Sequence, residues 1–327
     1  MALKRIELQL WIYTGTTTNA PSDPTYSISK EKIQGQDRIN FEISELARDY
    51  ITHNFNNDYL SSCVWVKAFV QKFDENDESY SFDNYETIFY EAIDGYSYFQ
   101  EGASAELSTD CLLSASNIYL PENTSGTIPI WSSGVGKFII DGVTTQVTDN
   151  GNTNQKIQYI TVPANSSSVT IYGTDDSTLK KTITVTNICE PKFTSYKVTF
   201  VNRYGAYQDL YFYKKSVESL NVTDENYRSN IIQNSSASYN IYDPQNQRYN
   251  VKAETSLKLN TGFLIEDMNT SVEEMYMSEN VWIRYNNQTL PINPTSKSLT
   301  KKTVLNDRMI DYTVDFKFSF NKINDVR

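Results

Sequence analysis

Histidine is almost missing from this chain: one residue, His53, in 327. A cluster of histidine metal ligands is therefore excluded. A Ser-His-Asp arrangement would have to use His53, and no G-x-S-x-G elbow accompanies it. Cysteine is also scarce, with Cys63, Cys111 and Cys189 far apart and odd in number. They form no C-x-x-C pair and no disulfide framework. Each reads as a small buried apolar residue, which suits a reducing compartment. No stretch approaches the ~20 apolar residues of a membrane-spanning helix. The start, Met1 to Arg5, leads straight into an alternating strand without a continuous apolar run, so no export leader is expected. The Asn-x-Ser/Thr triplets at Asn123, Asn165, Asn221, Asn234, Asn269 and Asn287 then read as a by-product of composition. Basic residues are outnumbered, 29 against 40, for a net charge of -11. Such a chain repels nucleic acid and anionic membrane surfaces, so neither is expected to bind it as a whole. Lys180-Lys181, Lys214-Lys215 and Lys301-Lys302 are only pairs, as on solvated edges.

Aromatic side chains are abundant: 24 Tyr and 15 Phe. Tyr covers a large area with few rotatable bonds and keeps a polar tip. It suits half-buried strand faces and protein interfaces alike. The densest segment runs from Phe200 to Lys215. Alternation holds to Val201, the chain turns at Gly205, and alternation resumes at Leu210, the pattern of two strands and a tight turn.

The rest of the chain reads as mainly β: tandem β-sandwich or Ig-like domains with one or two short helices. Three regions are expected. In the first, 1–105, Ile6, Leu8, Leu10 and Ile12 alternate with a polar-aromatic face that includes Trp11 and Tyr13. Ile39 to Ile43 predicts a short strand. Ser44 predicts an N-cap for a helix from Glu45 to about His53, with Leu46, Tyr50 and Ile51 inward. Cys63 to Gln71 predicts a strand, and Tyr85 to Tyr90 its hairpin partner. The second region, 106–190, is rich in Ser and Thr. Asp141-Gly142 carries the signal of a two-residue hairpin with both turn residues at positive φ. Further short strands, at Tyr159 to Val162, Val169 to Tyr172 and Thr182 to Val185, give a small Ig-like sandwich. The third region, 191–327, holds the Tyr-rich hairpin, a capping box at Ser271 and Glu274 with a helix through Met277, and a strand at Val281 to Tyr285. It ends in the clearest period-two run, Tyr312, Val314, Phe316, Phe318 and Phe320.

Motifs with chemistry are weak. Gly134-Val135-Gly136-Lys137 lacks the first Gly of a phosphate loop, where Trp131 stands, and its hydroxyl, where Phe138 stands. It reads as a loop into the Phe138 strand. Carboxylate pairs such as Asp83/Glu86, Asp175-Asp176, Glu266-Asp267 and Glu273-Glu274 show no facing geometry in sequence. Asp74 to Glu78 lacks the spacing and Gly of an EF-hand and reads as a solvated loop. Trp131, and Trp11 with Tyr13, could stack on sugars or bases, or pack in an interface. No cofactor and no catalytic residue is expected, and the chain is not read as an enzyme.

Three segments carry a resemblance: Phe200 to Gly205 with Leu210 to Ser216, then Phe41 to Ile51, and Leu305 to Phe316. Together they resemble virion structural proteins of crAss-like and related tailed bacteriophages. The resemblance implies a ring-forming subunit of the tail or collar, stacked below the portal in many copies. It implies a closed homo-oligomer among other tail and portal proteins, in the virion and assembled in the host cytoplasm. DNA would only pass through its lumen, and an acidic lumen would not retain it. The candidate interface residues are Tyr204, Tyr207, Tyr211, Tyr213, Trp11 and Tyr13. The middle region resembles no such segment and is expected as an insertion. The other expectation is a carbohydrate-binding adhesion module, motivated by the aromatic content and the Ig-like region.

Overall fold

The computed structural model describes residues 3–36, 38–74, 85–102, 109–190, 192–230, 238–296, 298–300 and 310–323. The acidic loop after Asp74, Asp83, Asn234, the Lys301-Lys302 pair and the 305–309 part of the last resembling segment lie outside them. The fold is mainly β, in tandem β-sandwich domains with short helices. It comprises two compact units. The first holds Met1–Cys189, Thr199–Leu210 and Thr270–Glu279; the second holds Glu190–Val198, Tyr211–Asn269 and Asn280–Arg327. The sequence regions 1–105 and 106–190 fall in the first unit, save Glu190.

The first unit begins with a four-stranded antiparallel sheet. Its strands are β1 (Leu3–Tyr13), β2 (Tyr26–Glu31), β3 (Val64–Asp74) and β4 (Tyr85–Ala92), in the order β2-β1-β3-β4. Register sets Leu10 opposite Ala68 and Ile12 opposite Val66. Directly opposed residues share a face, so Leu8, Leu10, Ile12, Val64, Val66 and Ala68 form one core, closed by Ala47 of α1 (Ser44–Arg48).

Four expectations fail here, the last of them in part. Ile39 to Ile43 is irregular rather than a strand; Phe41 and Ile43 pack singly on the Leu10 cluster. The helix stops at Arg48, five residues before His53. Ser44 is its first residue and caps nothing: its hydroxyl donates to Glu42 Oε1 at 2.5 Å. Of the expected inward residues Leu46 and Ile51 pack on that core, Tyr50 is exposed, and Ala47 is buried beside them. A five-residue helix gains too few backbone bonds to stand on propensity, so tertiary packing decides its length.

A sandwich follows in the same unit. Strands β5 (Asn117–Pro121), β6 (Gly126–Trp131), β7 (Val135–Ile140), β8 (Val143–Gln146), β9 (Ile157–Val162), β10 (Ser168–Gly173) and β11 (Leu179–Ile188) form two sheets. One has the order β5-β11-β10-β7-β8, with β5 parallel to β11; the other is β6-β9. The predicted hairpin is present, with Asp141 at φ 46° and Gly142 at φ 88° between Ile140 and Val143. Asn154 ties this sandwich to the first sheet: its side chain donates to Cys63 O at 2.6 Å and accepts from Gly15 N–H at 3.0 Å. Thr16 bridges Thr153 alongside.

The remaining strands form one seven-stranded sheet: β12 (Tyr196–Val201), β13 (Tyr207–Phe212), β14 (Val217–Arg228), β15 (Asn246–Asn260), β16 (Val281–Tyr285), β17 (Gln288–Pro294) and β18 (Thr313–Phe318). Their order is β13-β12-β16-β17-β18-β15-β14. The division between units crosses the β12–β13 hairpin. In β18 the period-two run holds: Val314, Phe316 and Phe318 are buried, and the Phe316 ring meets Phe212 edge-on at 5.5 Å. Phe320 lies past the strand end and is exposed. Helix α2 (Asn269–Met277) starts two residues before Ser271, so the predicted capping box is absent. Ser271 instead accepts from Gln208 Nε2 at 2.9 Å, and Glu274 accepts from Ser114.

Candidate assembly surface

The β12–β13 turn is organised by Asn202, which is fully buried. Its amide nitrogen donates to Leu112 O at 2.7 Å and Gln208 Oε1 at 3.1 Å. Its amide oxygen accepts from the N–H groups of Tyr204 and Ala206 at 3.0 and 3.2 Å. All of its capacity for directed bonding is engaged, as burial demands. Gly205 sits at φ 70°, and a Cβ there would stand 2.9 Å from the Asp94 backbone. The turn thus needs glycine for both conformation and space. Below it, Asp209 accepts from three hydroxyls, those of Tyr59 at 2.5 Å, Thr199 at 2.6 Å and Thr127 at 3.2 Å.

The rings offered by the sequence as interface residues are used within their own chain. Tyr207 is buried against Phe55 at 4.9 Å, His53 at 5.9 Å and Tyr159 at 6.3 Å, and its N–H donates to the Tyr159 hydroxyl. Tyr211 is buried, and so is Tyr213, whose hydroxyl donates to Phe263 O at 2.7 Å. Tyr204 is half-buried on the Cys63, Leu112, Ile157 and Ala206 cluster. Trp11 and Tyr13 pack with Trp65 on the second face of the first sheet. The 14–20 loop closes that face: Trp65 Nε1 donates to Gly15 O at 3.1 Å and Tyr13 to Thr17 O at 3.0 Å. The open polar-aromatic face expected for β1 is therefore covered, and five of the six rings are left with little area for a neighbour. Trp131 likewise packs on the Leu112 cluster.

The groups considered for chemistry are structural in their surroundings. His53 is buried, with Nε2 2.9 Å from Asp94 Oδ2. Arg48 Nε holds the other Asp94 oxygen at 3.0 Å. The hydrogen bond to His53, with Arg48 beside it, keeps the Asp94 carboxyl below its ordinary range despite burial. Burial pushes the Glu274 carboxyl above the usual range, although the Ser114 hydroxyl and the Arg203 backbone and charge act to lower it. Burial also pushes the Cys111 thiol up to about 11 and raises that of Cys63, so neither is poised as a thiolate. Cys189 is exposed, contrary to expectation. The Gly134 segment is a short turn leading into β7. A Cβ at Gly134 would meet the Asp110 carboxylate at 2.1 Å, and that carboxylate pairs with Lys180 at 2.8 Å. No phosphate-binding cradle is formed there. Among the described residues, no group of three or more His, Cys, Asp or Glu is placed to hold a metal.

A different surface stands out. All twelve residues of β14 are exposed, and β14 forms the outer edge of its sheet, pairing with β15 alone. Leu220 lies opposite Thr255 and Val222 opposite Ala253, on the face that carries buried Leu257 and Leu259. The apolar face of the sheet thus continues onto uncovered strand, with Leu220 at 54% and Val222 at 43% exposure. Ladder and side-chain bonds hold the ribbon out: Arg248 Nε pairs with Asp224 at 3.0 Å, Asn250 donates to Glu225 at 3.0 Å, and Tyr227 donates to Gln247 at 2.6 Å. Long edges are normally blunted by Pro, charge, bulges or brevity; β14 contains neither Pro nor Lys, its register shift and its Asp224-Glu225 pair lie past Thr223, and Ser219 to Thr223 carries no charge. The sequence signal was the alternation of Leu220 with Val222 and of Ala253, Leu257 and Leu259, which is weak because charged and Asn residues interrupt it.

Two clefts lie among the described residues of this surface. One of about 920 Å³ opens in the sandwich beside β7, β8 and β9, over Ile130, Ile140 and Ile160. The other, about 310 Å³, is lined in the second unit by Tyr285, Phe318, Phe320, Glu218 and Lys322.

Comparison with family models, curated proteins and solved structures finds no match for this chain.

Proposed function

We propose that this chain is a structural virion subunit that closes into a homo-oligomeric ring of a phage tail or collar, next to other tail and portal proteins. The observation that carries this reading is the β14–β15 ribbon: a twelve-residue edge strand, wholly exposed, with apolar residues on the continuation of a core face. Unpaired strand edges recruit further strands. The net charge of -11 is compatible with a lumen through which DNA passes without being held. The test is the native mass of the purified full chain across a concentration series. A discrete oligomer supports the reading; a monomer at every concentration, with the protein missing from virions, ends it.

The second reading, a carbohydrate-binding module, is favoured by the smaller cleft. There Tyr285, Phe318 and Phe320 gather beside Glu218 and Lys322, and Tyr285 donates to Glu218 at 2.8 Å. Aromatic walls with a few convergent polar groups are what small-ligand sites present. Phe320, rather than the packed Trp131, is the ring to truncate. Glycan-array binding lost in Phe320→Ala would favour this reading, and an array without signal would remove it.

A further inference from the structure

We infer that the β14–β15 ribbon of one copy seats in the sandwich cleft of a second copy, adding a strand beside β9. This rests on the assembly reading above and names its contact.

The cleft exists because the sandwich is unequal. Strands lie ~4.8 Å apart, so the five-stranded sheet measures about 19 Å between its outer strands and the two-stranded sheet only about 5 Å. On the β6 side, Cys111 bridges Ile130 and supplies cover. On the other side β9 has no strand partner among the described residues, its outer edge being engaged only at Ile157, whose N–H donates to the Ser61 hydroxyl at 3.4 Å, and β8, the last strand of the facing sheet, is exposed along its whole length. The floor there is sandwich interior: Ile130, Ile140 and Ile160 are buried side chains at the bottom of an open cleft. A strand edge beside an apolar groove is the geometry of strand addition, in which main-chain bonds give affinity and alternate side chains fill the groove.

The ribbon has the matching features. It presents a free edge, and Leu220 and Val222 project from one face two residues apart, the spacing that enters one groove. Charge favours the pairing as well. Over Val217–Arg228 and 246–252 the ribbon carries Glu218, Asp224 and Glu225 against Arg228, Arg248 and Lys252, three of each sign. The cleft is lined by one charged residue, Asp141, whose carboxylate accepts from Ser167 and Ser168. On a chain of net charge -11, a balanced ribbon and a cleft with a single carboxylate are where copies approach with little repulsion. A protrusion that fits a pocket elsewhere on the same molecule makes a head-to-tail contact, which closes into a ring when the rotation allows.

The test places a photo-crosslinking amino acid at Val222 of the full chain and maps the products by mass spectrometry, alongside native mass. The expected result is oligomers whose crosslinks join residue 222 to peptides within 136–166 of another copy. Two variants complete it: Leu220→Asp/Val222→Asp on the ribbon and Ala164→Arg at the exposed cleft mouth. Each should weaken self-association by roughly tenfold or more while leaving the thermal midpoint of the dissociated chain, read at low concentration, in place. Mixed together, they should give a heterodimer, because one intact ribbon then meets one intact cleft. Oligomers that form unchanged in both variants, or crosslink elsewhere, overturn this contact and leave the assembly reading standing. A chain that never self-associates overturns both.

Discussion

Replacing Tyr207 by alanine separates a core ring from an interface ring. The side chain is 4% exposed and lies against Phe55, His53 and Tyr159. Truncating a buried aromatic to alanine costs about 3–5 kcal/mol, combining lost transfer energy with the cavity left behind. Aromatic pairs contribute about 0.5–1.5 kcal/mol each beyond area, and three partners place Tyr207 toward the upper end. In a unit of this size each kcal/mol moves the melting midpoint by about 2–4 °C, so a fall of about 6–20 °C is expected. Tyr207→Phe keeps the ring and should cost only about 1 kcal/mol. The assay is thermal and urea unfolding of the full chain at several concentrations, since an oligomer's stability depends on concentration. The fall should appear at every concentration, including those where the protein is dissociated. An unchanged midpoint together with lost assembly would refute the reasoning and return Tyr207 to a surface.

Three further outcomes are expected. Glu274 has a folded pKa raised by burial, so its contribution is fully present below about pH 4.5 and falls as pH rises through the folded value; Glu274→Gln should therefore stabilise at pH 8 relative to wild type and not at pH 4, as read by urea midpoints. Asp94 has a depressed folded pKa, so its contribution is present above about pH 4 and is lost as pH falls through the folded value; Asp94→Asn should destabilise at pH 7, and the gap should close on acidification. Gly134→Ala should destabilise by about 1–3 kcal/mol through overpacking against Asp110, and an unchanged midpoint would contradict the close approach.

Regular periodicity was legible where one face meets a core. The Val314-Phe316-Phe318 run, the Asp141-Gly142 turn and the Val281 strand stand where the pattern puts them. What failed depended on partners distant in sequence. Trp11 and Tyr13 read as an outward face because the loop that covers them is polar. Ser44 and Ser271 have the residue type of caps, but their hydroxyls are engaged by Glu42 and Gln208. The Tyr-rich hairpin was legible as a hairpin and not as a buried one. Its tyrosines meet Phe55, Tyr159 and Phe263, which lie about 50 residues or more away. The ribbon was hard to read because its period-two signal is confined to Leu220 and Val222 and is broken off by Asp224, Glu225 and Asn226.

The central claim is that this polypeptide acts through sheet surfaces offered to other copies of itself. Cryo-electron microscopy of particles produced by the genome that encodes this chain tests it most directly. The account predicts a closed ring of identical subunits with the β14–β15 ribbon of each at an inter-subunit boundary. Particles without the chain, or a ring in which the ribbon stands free in solvent, would contradict it.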